Sequence, residues 1–164
     1  MESWQTFSPK IVRQFQNKLP FVLYAKPEQR TVSALLQHDA VWHTTTDFDE
    51  SGFVFTSFDG QRRFLIPRHK SDSFILEIPD VTLSSEIPEA NYDQTAKIGF
   101  EKLVSEGMAA IESDKFSKVV LSRKEAVAVS GFDFIAAFAQ LLTAYPTAFR
   151  YCWFHPETGK RIID

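Results

Sequence analysis

Apolar residues recur along this chain with two periods, near 3.6 and near 2, and the switches between them mark out its elements. Ser8 and Pro9 stand where an N-cap and a first helical position belong, and Ile11, Val12 and Phe15 follow at helical spacing, so a short helix is predicted over residues 8–17. Pro20 stops it. The run FVLYA at 21–25 then reads as a strand closed by the turn-prone Lys26-Pro27-Glu28. Residues 31–37 form an apolar run short enough for either type; strand is preferred because strands follow. Residues 52–58, GFVFTSF, alternate bulky and small side chains, and Asp59-Gly60 leads into Arg63-Phe64-Leu65-Ile66 before Pro67, which predicts a hairpin. From 68 to 91 the chain is rich in Ser, Asp and Pro around one apolar island, Phe74-Ile75-Leu76, and a loop-dominated connection is expected.

The second half is more regular. Ala96, Phe100, Leu103, Val104, Met108 and Ile111 give 92–113 the stripe of a long amphipathic helix, with Lys97, Glu101, Lys102 and Glu106 on its other side. Residues 118–129 switch to a period near two and predict a strand. Gly131 and Asp133 mark a turn and a cap into a helix over 134–144, ended by Pro146. A strand over 149–154, a turn at 156–159 and the start of another strand at 161–164 complete the pattern. A strand that opens on Ile162-Ile163 and stops one residue later leads to the expectation of a longer parent chain. The fold class expected is α+β, a mostly antiparallel sheet with packed helices. Neither an internal repeat nor a low-complexity segment is seen.

Composition narrows the function classes. The chain has 164 residues, 44% of them hydrophobic and 24% charged, which suits one soluble globular domain and argues against disorder. Sixteen Phe and three Trp promise a sizeable sheet-and-helix core. The net charge of −3 comes from interspersed acids and bases, so nucleic acid is a poor partner. Cys152 is the single cysteine, which leaves no intrachain disulfide and suits a reducing compartment. With neither a signal-like N-terminus nor a span-length apolar run, a cytoplasmic protein without membrane partners is expected.

The candidate chemistry sits in FSKVVLSRKEAV, residues 116–127, where two cations interrupt a run of strand formers. On a strand, Val119, Leu121, Arg123, Glu125, Val127 and Val129 share one face, bulky enough to lie under helices. Lys118, Val120, Ser122, Lys124, Ala126 and Ala128 share the other, which carries small residues. A lysine desolvated on that second face would have its pKa lowered, and its neutral amine is a competent general base. The plainer alternative is a solvated lysine at a strand end. Arg123 reads as structural, paired with an acid across the sheet. His38, His43, His69 and His155 lack metal-site spacing and read as surface or hydrogen-bonded residues. Asp47, Asp49 and Glu50 lack the full spacing of a calcium loop, so a hairpin loop is expected there. Gly131 and Gly159 are isolated, so no phosphate loop is present, and Cys152 reads as a packed thiol.

Residues 116–123, FSKVVLSR, resemble the chorismate-utilising enzymes, and most closely the isochorismate synthases. MAAIESDKF just before the motif, then GFDFIAAFAQLLTAYP and AFRYCWFHPETG, extend the resemblance over residues 92–164, while PFVLYAKPEQ and GFVFTSFDG resemble the more variable N-terminal region of the same enzymes. The resemblance implies a variable β-rich region over 1–91 and, over 92–164, the start of a chorismate-binding region truncated at its C-terminus. It implies that Lys118 is the base activating water for attack at C2 of chorismate, while a glutamate from later in the chain protonates the departing C4 hydroxyl. Ammonia-using relatives such as anthranilate synthase have glutamine at this position, so a lysine implies isochorismate synthase or its salicylate-forming cousin, at the head of menaquinone or siderophore synthesis. Mg2+ is the implied cofactor, with ligands beyond residue 164. A fragment lacking the acid and the metal ligands is expected to be inactive and to self-associate through its exposed surface. The competing reading is a non-catalytic α+β binding or interaction module in which Lys118 and Arg123 form structural ion pairs.

Overall fold

The computed structural model describes residues 2–82, 94–123, 131–158 and 160–163, the last four by backbone alone. They fall into two compact units, 1–84 with 133–164, and 85–132. In the first unit helix α1 (Trp4–Gln16) is followed by strands β1 (Phe21–Ala25), β2 (Thr31–Gln37), β3 (His43–Thr44), β4 (Gly52–Thr56), β5 (Arg63–Pro67) and β6 (Ser71–Glu77). The second unit holds helix α2 (Gln94–Glu112). The first resumes with helix α3 (Phe134–Ala144), strand β7 (Arg150–His155) and strand β8 (Lys160–Ile163).

The strands of the first unit form a five-stranded sheet in the order β6-β2-β1-β7-β8 and a three-stranded sheet in the order β3-β5-β4. Every pairing in both is antiparallel, which makes the fold α+β as the sequence pattern predicts. β1 reads as a continuous apolar run because both of its faces are covered. Phe21, Leu23 and Ala25, with Val32, Ala34, Leu36, Cys152 and Phe154 from neighbouring strands, pack beneath Phe7 and Ile11 of α1 and Phe134, Phe138 and Leu142 of α3. Val22, with Leu35 and Trp153, faces the other way and meets Ile66 and Phe53 of the three-stranded sheet. The unit is thus three layers deep, helices on a central sheet on a small sheet, with Cys152 the packed thiol expected of it.

Three expectations need correction. α1 begins at Trp4 and not near Ser8, because Ser3 caps it, accepting from the Thr6 N–H at 3.3 Å. Pro9 lies inside the helix and forfeits one bond to the Gln5 carbonyl. The extra turn brings Trp4 to 6.2 Å from Phe138, and Phe7 to 4.9 Å from Phe74, ring to ring, which outweighs that loss. The stretch expected to be loop from 68 contains a seven-residue strand, β6, paired with β2 from Thr31↔Glu77 to Gln37↔Ser71. Its polar residues disguise it; an edge strand with one solvated side tolerates Asp72, Ser73 and Glu77. Residues 83–91 of that stretch lie outside the described residues. The acidic loop near Asp47 is not a hairpin, since β3 and β4 both pair with β5 and the loop crosses between them.

Where the pattern is strong it is followed closely. The β4–β5 hairpin turns through Ser57–Arg62, with Gly60 at φ +70° donating its N–H to the Ser57 carbonyl. Asp133 caps α3, its carboxylate accepting from the Ile135 and Ala136 N–H groups at 2.9 and 3.0 Å.

Candidate functional site

Lys118 belongs to the second unit. α2 ends in a turn in which Asp114 takes φ +59°, and the Asp114 and Lys115 N–H groups return to the Ile111 and Ala110 carbonyls. The chain then runs back beside the helix. A Cβ at Gly107 would lie 3.2 Å from Val119 Cγ1 and 3.3 Å from Leu121 Cδ1, so the bare glycine surface is what lets these two side chains settle on α2. The Arg123 guanidinium lies 5.8 Å above the Phe100 ring of the same helix. Residues 119, 121 and 123 therefore share the side turned toward α2, but only Leu121 is half-buried there; Val119 and Arg123 remain exposed, so the packed face expected of them is not formed among the described residues. Lys118, Val120 and Ser122 are exposed, Val120 to 81%.

The expected strand over 118–129 is corrected by this arrangement. Residues 118–123 belong to no sheet among the described residues; a strand needs a ladder partner, and these residues lean on a helix instead. Residues 124–129 lie outside the described residues. The burial expected at Lys118 is not observed either: its side is open to solvent. Arg123, expected to pair with an acid across a sheet, has the Phe100 ring beside its guanidinium. With Gln94, Lys97, Phe100 and Glu101 it borders a shallow cavity of about 480 Å3 that Lys118 does not line.

The first unit carries buried polar groups that the sequence pattern did not single out. Gln37 closes β2 with 1% of its surface exposed, and its Nε2 donates to the Asp39 carbonyl and carboxylate and to the Val41 carbonyl at 2.8–3.0 Å. Gln14 of α1 donates to the Gln37 and Pro20 carbonyls at 2.7 and 3.0 Å and ties the helix to that corner. Asp39 stands 3.4 Å from His43 Nε2. Partial burial pushes the Asp39 carboxyl up, but hydrogen bonds from Gln37, the Val41 N–H and His43, with the His43 charge, leave it below its ordinary value. His155, buried at the end of β7, accepts from the Glu157 N–H at Nδ1, and the Trp42 ring stands edge-on 4.3 Å from its own. Burial pushes the His155 imidazole down; the Val41 carbonyl and Glu157 pull it up, His43 pushes it further down, and the net shift is downward.

Arg150 is another hidden polar residue. It opens β7 with 1% exposure and donates from Nε to the Ala148 carbonyl, from Nη1 to that of Leu142 and from Nη2 to that of Lys26, at 3.1, 2.8 and 3.0 Å. The Leu142 oxygen belongs to the last turn of α3, where a cation also meets the negative end of the helix dipole. Helical and strand periodicity cannot flag such a residue; the one signal in the sequence is an arginine heading a strand that otherwise reads as core.

His38 pairs with Asp72 at 3.0 Å on the surface, and His69 is exposed. Among the described residues no group of three or more His, Cys, Asp or Glu side chains could hold a metal ion. No described helix is long and apolar enough to cross a membrane. Comparison of the chain with protein-family models, with curated proteins and with solved structures gives no match.

Proposed function

We propose that this chain is the N-terminal part of an isochorismate synthase and that Lys118 is its general base. The observation that carries the reading is the alternation within FSKVVLSR: Val119, Leu121 and Arg123 lie beside Gly107 and Phe100 of α2, while Lys118, out of step with them, is exposed where a substrate could reach it. In this reading further polypeptide covers that side. It desolvates the amine, which takes a proton from water as the water oxygen attacks C2 of chorismate, and an acid group it carries protonates the departing C4 hydroxyl. The acid and the groups that hold Mg2+ are assigned to the same further polypeptide. A salicylate synthase is the nearest alternative and would release pyruvate.

The test is Lys118→Ala in the full-length enzyme, with isochorismate separated from chorismate by chromatography. A positioned general base contributes about 10²- to 10⁴-fold, so turnover should fall by at least about 100-fold with an unchanged melting temperature. Near-wild-type turnover would remove Lys118 from the reaction. The exposure of Lys118 favours one second reading, a non-catalytic module, which a full-length protein that forms no isochorismate even with Lys118 intact would support.

A further inference from the structure

We infer that the cleft along the β3–β5 side of the three-stranded sheet binds a small planar ring bearing one anionic group. The cleft encloses about 990 Å3, at the upper end of the size of small-molecule sites. Its floor is Trp153, only 2% exposed, and its walls include the half-buried rings of Trp42, Phe55 and Phe64. Phe55 lies nearly parallel to Trp153, 10° apart in plane and 5.2 Å between centroids, while Trp42 stands edge-on to Phe64 at 4.0 Å. These rings hold one another in place and leave apolar area on the cleft side, a surface against which a flat ring stacks.

The rim supplies the charge. Among the described residues Arg62 and Arg63 line the cleft with a single acid, Glu157. Asp59, in the hairpin loop beside Arg62, has its carboxylate hydrogen-bonded by the Ser57 hydroxyl and the Gln61 N–H of its own turn and is also attracted by the Arg62 charge, without itself lining the cleft. Arg63 donates from Nη1 to the Thr46 carbonyl and lies 5.1 Å over the Phe48 ring, so its guanidinium is fixed before any ligand arrives. Among the described lining residues Arg62 and Arg63 outnumber Glu157, which favours a monoanion, and their planar forks suit a carboxylate or a phosphate equally. The inference is independent of Lys118, which belongs to the other unit.

Benzoate, phenyl phosphate and the uncharged benzamide are the probes, titrated into the 164-residue protein with tryptophan fluorescence and calorimetry as readouts. At least one anionic probe should saturate with a Kd of about 0.1–1 mM, given the size of the ligand. Benzamide should bind about tenfold or more weakly, and the stronger of the two anions identifies the group preferred. Arg62→Glu lies on the exposed rim and should keep the far-ultraviolet circular dichroism while weakening the anion about tenfold or more; Lys97→Glu, in the other unit, should change nothing. No saturation up to about 10 mM, equal binding of benzamide and the anions, or an unaffected Arg62→Glu protein would each overturn the inference.

Discussion

Arg150 draws three separate pieces of backbone to one point: the end of β1 at Lys26, the last turn of α3 at Leu142, and the approach to β7 at Ala148. Its cost in desolvation is met by carbonyl dipoles in place of a carboxylate. Arg150→Met keeps much of the volume but leaves three carbonyl acceptors, that of Leu142 fully buried and those of Lys26 and Ala148 partly so, without their donor, and urea unfolding should show a loss of about 2–4 kcal/mol. A change under about 0.5 kcal/mol would mean that water replaces the guanidinium there. His155 governs the response to acid. Its folded-state pKa lies below the ordinary 6.5, so the unfolded chain takes up the proton first as pH falls. The stability tied to neutral His155 is complete above about 6.5 and is lost as pH drops through that value toward the lower folded-state pKa. Asp39, also held low, acts in a separate window below its ordinary 3.8. Melting temperatures should therefore decline between about pH 7 and pH 5, and His155→Phe should flatten that decline; an identical slope in the variant would assign it to another group.

At the scale of elements, the β4–β5 ladder depends on a residue with no side chain. A Cβ at Gly52 would stand 2.3 Å from the Ile66 carbonyl oxygen and 2.8 Å from Leu65 Cδ1, and the first of these is backbone that cannot turn aside. Gly52→Ala should separate the strands locally and cost about 1–3 kcal/mol, read as a lower urea midpoint. A midpoint equal to that of the parent would show that the hairpin shifts freely. The same scale explains which elements the sequence reveals. β1 announces itself as an apolar run because both of its faces are covered, and α3 as a stripe because one face packs on the sheet. β6 does not, because Asp72, Ser73 and Glu77 occupy an edge where solvent and not packing sets the residue type. Residues 118–123 carry a true period of two, yet alternation says only that two sides differ. It does not say whether a strand or a helix covers one of them.

For the whole molecule, the proposed chemistry asks for a desolvated amine, and Lys118 is exposed; the acid and the groups that hold Mg2+ are assigned to further polypeptide. The 164-residue protein incubated with chorismate and Mg2+ should form no isochorismate above the uncatalysed background, and product formation that scales with protein would overturn this. The FSKVVLSR motif, the antiparallel α+β class, the long helix before the motif and the cap at Asp133 are all legible from residue order, because each depends on neighbours within a turn or a strand's length. The three-layer packing, the burial of Arg150, Gln37 and His155, the aromatic cleft and the leaning of residues 119–123 on α2 were decided by the tertiary structure. They depend on groups brought together from distant parts of the chain, such as Arg150 with Lys26, and no local period records such a meeting.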